Sequence, residues 1–315
     1  MQHFITTADL SLPATKAIIA QAQAMQRAPQ NFTSVGRHQQ LATLFFEPST
    51  RTRLSFTAAM QALGGQVLGF ESIDSTSVTK GESLADTIRV VSQYVDAIVV
   101  RHPTAGAAAV AATHASVPVI NAGDGDHLHP TQTLTDLATI DRYKHRLNHL
   151  TIAFGGDLKY GRTVHSLVQA LMQYPHNRFI FVAPTPLQIP NTLLTQLQTA
   201  GIDFQLCDSF DSIDEHLDVL YMTRQQTERV PQSVAATVKL VPLTLACDRL
   251  LASDTLLLHP LPRGSELPTS FDHLPQAHYF DQVRMGKYVR MALLAYLLPP
   301  VPAAAHHDKL VKLRY

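Results

Sequence analysis

Short apolar runs alternate with amphipathic stretches along most of the chain, and this alternation restricts the folds that are open to it. A short apolar run between turn residues is typical of a buried strand, whereas apolar residues three and four apart indicate a helix. The predicted strands lie at residues 41–46, 67–70, 97–100, 117–120, 150–154, 178–183, 204–206, 219–222 and 255–258. The predicted helices lie at 10–28, 56–63, 105–115, 130–143, 161–172, 190–200 and 283–298, with another from Leu84 onward. Strands that alternate with helices form mostly parallel sheets flanked by helices, so the predicted class is α/β.

The chain is expected to form two domains. Its 315 residues are enough for two at about 150 residues each, and the alternation restarts after the helix that ends near residue 143. We predict a first domain at 1–145, a second at 146–282 and a tail at 299–315, with the helix at 283–298 packing back on the first domain. Ligands of α/β sheets bind beyond the carboxyl ends of the strands, which places the expected active site in the cleft between the domains.

Composition excludes several classes of function. Lys and Arg together number 25, as do Asp and Glu, so there is no electrostatic case for binding nucleic acid or an anionic membrane. The 2 cysteines exclude a disulfide framework and a cysteine-rich zinc site. The first residues show no secretory signal, and the longest apolar run, at 291–298, is too short to span a bilayer. We therefore expect a cytoplasmic globular protein.

A polar turn with the sequence Ser-Thr-Arg-Thr-Arg follows the first predicted strand, at residues 49–53. Ser49 or Thr50 suits the N-cap of the next helix, because a side-chain oxygen there satisfies a free backbone N–H group. The remaining N–H groups and the positive end of the helix dipole attract an anion. A capped helix with solvated arginines is the alternative interpretation. The turn holds more hydrogen-bond donors than a cap requires, and it therefore predicts a phosphate site.

Polar or basic side chains also follow the other predicted strands. They are Ser77 and Lys80 in a polar loop at 71–82, then Arg101, His129, Gln132, Arg162, Arg224, Gln226 and residues 259–263. Each alone is weak evidence, because an arginine at a strand end is more often a surface group. The carboxyl ends of parallel strands meet at one edge of a sheet, so their shared position predicts a common site.

Two short motifs suggest other sites and are discounted. Gly155, Gly156 and Gly161 follow a predicted strand, but their spacing is not the G-x-G-x-x-G of dinucleotide-binding proteins. His127 and His129 are close in sequence, but no carboxylate or cysteine partner has a recognisable metal-ligand spacing. Neither a nicotinamide cofactor nor a metal ion is expected.

Several of these segments together resemble the aspartate/ornithine carbamoyltransferase family, over about residues 2–298. They are the turn at 49–53, Ser77 with Lys-Gly-Glu at 80–82, Arg-His-Pro at 101–103, His-Pro-Thr-Gln at 129–132, and the segments 157–166, 221–226 and 259–262. Thr57 and Lys287 stand where the family usually has other residues.

The resemblance implies that the chain transfers the carbamoyl group of carbamoyl phosphate to the α-amine of aspartate, a step of pyrimidine biosynthesis, without a cofactor. It implies that the catalytic groups are Thr52, Arg101 and His129. The implied carbamoyl-phosphate ligands are Ser49, Thr50, Arg51, Thr52, Arg101, His129, Gln132 and the backbone carbonyls of Leu261 and Pro262. The implied aspartate ligands are Lys80, which is also a candidate for the phosphate, Arg162, Arg224 and Gln226.

The second half of the chain distinguishes between acceptors. Arg162 and Arg224 suit the two carboxylates of aspartate, whereas the cationic side chain of ornithine would face Arg224. The Ser-Met-Gly and His-Cys-Leu-Pro segments of ornithine-specific members do not occur in this sequence. The resemblance further implies a homotrimer in which Ser77 and Lys80 enter a neighbouring subunit's site, and it leaves association with regulatory chains open. A different amine acceptor and an inactive, anion-binding homologue are the competing interpretations.

Overall fold

The computed structural model describes residues 2–125, 128–224, 226 and 242–298. The helices in these residues are α1 (Leu12–Arg27), α2 (Thr50–Ala62), α3 (Leu84–Val91), α4 (Ala107–His114), α5 (Pro130–Lys144), α6 (Arg162–Leu171), α7 (Asn191–Thr199) and α8 (Tyr279–Leu297). The strands are β1 (Gln40–Phe45), β2 (Gln66–Phe70), β3 (Ala97–His102), β4 (Val119–Asp124), β5 (Thr151–Gly156), β6 (Arg178–Val182), β7 (Asp203–Cys207), β8 (Val219–Thr223) and β9 (Leu256–Leu258). None of these helices has both the length and the apolar character needed to cross a membrane.

The strands form two sheets, and each is parallel throughout. The first has the order β2-β1-β3-β4 and the second the order β7-β6-β5-β8-β9. Strands of parallel sheets are buried on both faces, so they are apolar along their whole length rather than at alternate positions. In β3, for example, Ile98, Val99 and Val100 are consecutive and all fully buried. The predicted α/β class with two sheets is confirmed, and the sheets are wholly rather than mostly parallel.

Helix α8 packs against α1, α2 and α5 from the first half of the chain. Its Val289, Leu293 and Leu294 are fully buried. The helix begins at Tyr279 rather than at the predicted residue 283. Its first turn buries Tyr279 and Gln282 but exposes Phe280, so the apolar residues there do not show helical spacing. Gln282, for example, is almost fully buried and hydrogen-bonded, and apolar spacing gives no sign of it.

Strand β4 extends further than the sequence predicts. The sequence predicts that the strand ends at residue 120 and that residues 121–126 form a loop. The strand instead continues to Asp124, and residue 126 lies outside the described residues. The Asn121 amide donates to Asp124 Oδ1 within the strand at 3.0 Å and to the Ile5 carbonyl of the N-terminal segment at 3.1 Å. The N-terminal segment supports this edge, where Phe4 N–H donates to the Val119 carbonyl at 2.8 Å.

Candidate active site

A cleft of about 400 Å³ is lined by residues from both halves of the chain. Its walls come from the carboxyl ends of β3 and β8, the first turns of α2, α5 and α6, residues 259–262 after β9, and α8. The predicted site residues that line it are Ser49, Thr50, Arg51, Thr52, Arg101, His129, Gln132, Arg162, Arg224, Gln226, Leu261 and Pro262. Parallel strands explain the convergence, because their carboxyl ends all point to the same edge.

The turn at 49–53 opens helix α2, but Ser49 does not cap it through its side chain. Ser49 occupies the N-cap position with an extended backbone (φ −157°, ψ 90°), and its hydroxyl makes no capping hydrogen bond. The first N–H groups of a helix have no partner within the helix. The hydroxyl and these N–H groups are therefore arranged to receive an anion at the positive end of the helix dipole.

The two arginines of the turn have different surroundings. Arg51 Nη2 donates to the Leu261 carbonyl oxygen at 2.8 Å. Burial, together with the charges of Arg101 and Arg224, lowers the pKa of Arg51. Crowded positive charges of this kind favour binding of an anion. Arg53 pairs instead with Glu71 and does not line the cleft, so Arg51 is the guanidinium available to a ligand.

Arg101 and Arg162 approach each other at Gly123, a residue that sequence reasoning did not single out. Arg101 Nη2 lies 2.7 Å from Glu47 Oε1, and Arg162 Nη1 donates to the Gly125 carbonyl oxygen. Gly123 has a φ of +119°, and a Cβ atom there would lie 3.0 Å from Arg101 Nη1 and 3.3 Å from Arg162 Nη2. A glycine inside a buried strand is the signal that could have indicated such a close approach.

Gly123→Ala is expected to lower kcat/KM at least about tenfold, since displacing a positioned group by 1 Å costs up to about a hundredfold. Gly201→Ala is the matched control, because Gly201 also has a positive φ (+67°) but nothing lies within 4 Å of its Cβ position. Steady-state kinetics and thermal unfolding of both variants separate crowding of the arginines from backbone strain. Wild-type kcat/KM in a folded Gly123→Ala variant would contradict the prediction.

His129 lies at the N-cap position of α5, and Pro130 occupies the first helical position as predicted. The histidine is buried in the cleft wall. Burial, together with the charges of Arg162 and Arg101, holds the pKa of His129 well below its usual value. The imidazole is therefore neutral, and it carries one N–H group that a carbonyl oxygen can accept.

The backbone of Leu261 is fixed by two buried residues, His259 and Glu266. His259 Nδ1 accepts from the Leu261 N–H at 2.8 Å, so Nε2 carries the ring proton and donates to Glu266 Oε1 at 3.0 Å. Leu261 has a φ of +56°, which an L-residue adopts only under constraint. The predicted carbonyl ligand thus depends on Glu266, which is separated from the motif and was not identified from sequence.

Asp157 connects two segments in the cleft wall that the second half of the chain forms. Its carboxylate is fully buried and accepts from the N–H groups of Tyr160 and Gln226, both at 3.0 Å. These contacts connect the turn before α6, which begins with Arg162, to the segment after β8, which contains Arg224. The guanidiniums of Arg162 and Arg224, which come from different segments, thereby lie in one wall of the cleft.

Another buried carboxylate, Asp136, lies in α5 one turn after Gln132. It is fully buried and accepts hydrogen bonds from Gln132, Gln282 and Tyr221. Burial raises its pKa to about 7, although the three hydrogen bonds and Arg290 oppose the shift. Sequence reasoning missed this residue, because nothing near it in sequence distinguishes it from an ordinary polar position on a helix.

Asp136→Asn is expected to stabilise the protein more at pH 8 than at pH 5. The folded-state pKa of about 7 lies above the ordinary 3.8, so the stability contributed by Asp136 is complete below about pH 4 and is lost as pH rises to about 7. Asparagine does not ionise, and the variant escapes this loss. Thermal unfolding from pH 5 to 8 measures the difference, with exposed Asp208→Asn as the control. The same pH trend in both variants would contradict the prediction.

Ser77 and Lys80 do not line this chain's own cleft. Both are exposed and belong to a short 3₁₀ segment, Ser77–Lys80, within the predicted polar loop. A second 3₁₀ segment, Ile73–Ser75, precedes it, so the loop contains local structure. Thr57 and Lys287, which depart from the family pattern, also lie outside the cleft lining.

In the described residues, one group of side chains outside the cleft has the spacing of a metal site: His216, Asp218 and Asp254. Lys144 Nζ already lies 3.2 Å from a carboxylate oxygen of each aspartate, and Arg146 contacts Asp218 at 2.6 Å. Two cations therefore neutralise the carboxylates. His127 lies outside the described residues.

Comparison with known proteins agrees with this arrangement. Residues 2–142 match the model of the aspartate/ornithine carbamoyltransferase carbamoyl-P binding domain, and residues 148–297 match that of the Asp/Orn binding domain. The aspartate carbamoyltransferase catalytic subunit of Lachnoclostridium phytofermentans is 48% identical over 305 residues, covering 96% of this chain and 99% of the relative.

Two solved structures are similar over nearly their whole length. The catalytic subunit of M. jannaschii aspartate transcarbamoylase has a TM-score of 0.86 and 44% identity, covering 94% of this chain and 99% of that one. Aspartate transcarbamoylase from Trypanosoma cruzi in complex with N-(phosphonacetyl)-L-aspartic acid has a TM-score of 0.87 and 38% identity, covering 95% and 96%. With both domain models matched and the motifs gathered in one cleft, the chain belongs to the aspartate/ornithine carbamoyltransferase family.

Proposed function

We propose that the cleft binds carbamoyl phosphate and L-aspartate together and that the chain transfers the carbamoyl group to the α-amine of aspartate. The products are N-carbamoyl-L-aspartate and phosphate, and the step belongs to pyrimidine biosynthesis. The observation that carries this conclusion is that five arginines line one cleft. Arg51, Arg101, Arg162 and Arg224 come from both halves of the chain, and Arg290 comes from α8. This charge suits one phosphate and one dicarboxylate, because guanidinium binds both through paired hydrogen bonds.

The donor binds at the start of α2. Its phosphate accepts from the Ser49 and Thr50 hydroxyls, from the free N–H groups of the first helical turn and from Arg51. The carbamoyl NH2 group donates to the side chain of Gln132 and to the backbone carbonyls of Leu261 and Pro262. The cleft lining and the Arg51–Leu261 contact support this placement, because they bring residues 49–52 and Leu261 together.

Catalysis rests on positioning and on charge that is already in place. The amine nitrogen of aspartate attacks the carbonyl carbon, and negative charge develops on the carbonyl oxygen. Thr52, Arg101 and the neutral His129 stabilise that oxygen. The carbon–oxygen bond to phosphate then breaks, the electron pair leaves with phosphate, and phosphate accepts the proton lost by the amine. No covalent enzyme intermediate is required.

L-Aspartate, which accepts the carbamoyl group, binds on the wall formed by the second half of the chain. Arg162 and Arg224 each bind one carboxylate of aspartate, and Gln226 orients it. We assign residues 1–145 to the donor and residues 146–282 to the acceptor, with α8 packing back on the first domain.

We further propose a homotrimer in which Ser77 and Lys80 complete a neighbouring subunit's cleft. Their exposure outside this chain's own cleft supports that role. The curated relatives are named catalytic subunits, which supports association with separate regulatory chains. The two cysteines are free and buried, as suits a cytoplasmic location.

Acceptor specificity tests the function. Purified protein is supplied with carbamoyl phosphate and either aspartate or ornithine, and carbamoyl aspartate and citrulline are quantified in parallel. We expect turnover with aspartate and none above background with ornithine. Citrulline formation would show a different acceptor, and phosphate release without either product would show that the cleft binds the donor but does not perform the transfer.

A further inference from the structure

The carboxamide of Gln132 has a defined orientation because of Asp136. Gln132 Nε2 donates to Asp136 Oδ1 at 2.7 Å. Oδ1 accepts hydrogen bonds in the ionised carboxylate and also in the acid form with its proton on Oδ2, so it selects the NH2 end of the amide in either state. Gln132 lines the cleft. Because Nε2 is engaged by Asp136, Oε1 is the amide atom left to receive a ligand. Gln132 therefore presents an acceptor to the cleft.

The same carboxylate oxygen also fixes Gln282 of α8. Gln282 Nε2 donates to Asp136 Oδ1 at 2.6 Å, which leaves Gln282 Oε1 to accept from the His259 N–H at 3.0 Å. His259 in turn accepts from the Leu261 N–H at 2.8 Å. A continuous series of hydrogen bonds thus runs from Asp136 to the backbone of Leu261, whose carbonyl oxygen is the second proposed acceptor for the carbamoyl NH2 group.

Tyr221 of β8 makes the third hydrogen bond to Asp136. This bond orients neither of the two proposed acceptors, Gln132 Oε1 and the Leu261 carbonyl oxygen. Its hydroxyl donates to Asp136 Oδ2 at 2.9 Å, the oxygen that neither glutamine uses. Tyr221, Asp136 and Gln282 are all at most 1% exposed. Water therefore does not replace these contacts. A glutamine carboxamide that lost its hydrogen bond to Asp136 could rotate and exchange the positions of its oxygen and nitrogen.

We propose that Asp136 is a positioning residue that orients both acceptors of the carbamoyl NH2 group and so makes the cleft prefer carbamoyl phosphate to acetyl phosphate. This inference rests on the proposed function, since it takes Gln132 and Leu261 as ligands of the NH2 group. Acetyl phosphate carries a methyl group where carbamoyl phosphate carries NH2, and a methyl group has no hydrogen to donate to Gln132 Oε1 or to the Leu261 carbonyl. Preference for an amide therefore requires that acceptors, not donors, face that position.

The test compares dissociation constants for carbamoyl phosphate and acetyl phosphate, measured by titration calorimetry without aspartate. In Asp136→Ala the constant for carbamoyl phosphate is expected to rise about tenfold, as for the loss of about one good hydrogen bond, while that for acetyl phosphate changes less than about twofold. Asp136→Leu removes the same acceptor without opening a cavity, and it answers the question if the alanine variant does not fold. Equal weakening of both ligands, or no weakening of carbamoyl phosphate, in a folded variant overturns the proposal.

Tyr221→Phe is the matched control, because it removes one hydrogen bond from Asp136 but leaves both amide contacts. It is expected to keep the wild-type ratio of the two dissociation constants, and loss of that ratio would show that Asp136 acts through general packing. In a Gln132→Ala background, Asp136→Ala is expected to change the ratio less than in the wild type, because the direct contact is already missing. An undiminished change would exclude action through Gln132.

Failure of the inference is distinguishable from failure of the proposed function. Formation of carbamoyl aspartate by the wild-type protein tests the function and does not depend on Asp136 variants. If the wild type forms this product and folded Asp136→Ala keeps the wild-type ratio, the positioning role is wrong and the function stands. If the wild type forms no product, the ligand assignment on which the inference rests falls with it.

Discussion

Replacing Arg101 with alanine is expected to lower kcat at least about a hundredfold, the usual loss when one donor to a developing oxyanion is removed. Arg101 ends β3 at the cleft and is held by Glu47 at 2.7 Å. Its charge is therefore in place before the reaction and needs no rearrangement as the carbonyl oxygen becomes negative. Initial-rate kinetics at saturating concentrations of both substrates measure the effect.

Arg53→Ala is the control for this prediction. Arg53 is an arginine of the same cleft-forming region, but it pairs with Glu71 and does not line the cleft. We expect its kcat to stay within about threefold of wild type, as is usual for a partly exposed ion pair. A folded Arg101→Ala variant with near-normal turnover, or an equal loss in both variants, would remove Arg101 from the catalytic groups.

Arg224→Ala is expected to raise the KM for aspartate about a hundredfold, because removing one partner of a desolvated charge pair costs about 2–5 kcal/mol. Arg224 follows β8 directly and lines the cleft beside Gln226. The KM for carbamoyl phosphate should change less than about threefold, which makes the donor an internal control for the fold of the variant. An unchanged aspartate KM would contradict the two-arginine clamp.

The donor half of the site was predictable from sequence for a physical reason. A parallel sheet places every strand's carboxyl end at one edge, so residues 49–53, Arg101 and His129 meet whatever the details of packing. Their types were informative too, since hydroxyls and guanidiniums at a helix start suit a phosphate. Ser49 shows the limit of that reasoning, because the predicted position is correct but the capping hydrogen bond does not form.

The supporting residues were not predictable, because their roles depend on contacts between distant parts of the chain. Gln282 is 146 residues from Asp136, yet the two side chains share a hydrogen bond of 2.6 Å. The neutral state of His129 likewise depends on burial and on Arg101 and Arg162 from other segments. Gly123 matters through the two guanidiniums beside it. A glycine in a strand can signal a close approach, but it does not show that Arg101 and Arg162 are the partners.

Binding of N-(phosphonacetyl)-L-aspartate tests the central claim most directly, namely that one cleft holds donor and acceptor side by side. This compound joins a phosphonate to the amine of aspartate through an acetyl link, and it therefore spans both halves of the proposed site. Titration calorimetry should show a dissociation constant far below those of phosphate and aspartate measured separately, since linking two fragments removes most of the cost of binding the second. Both Arg51→Ala and Arg224→Ala should weaken it. Binding no tighter than that of phosphate alone, or insensitivity to either substitution, would contradict a shared cleft.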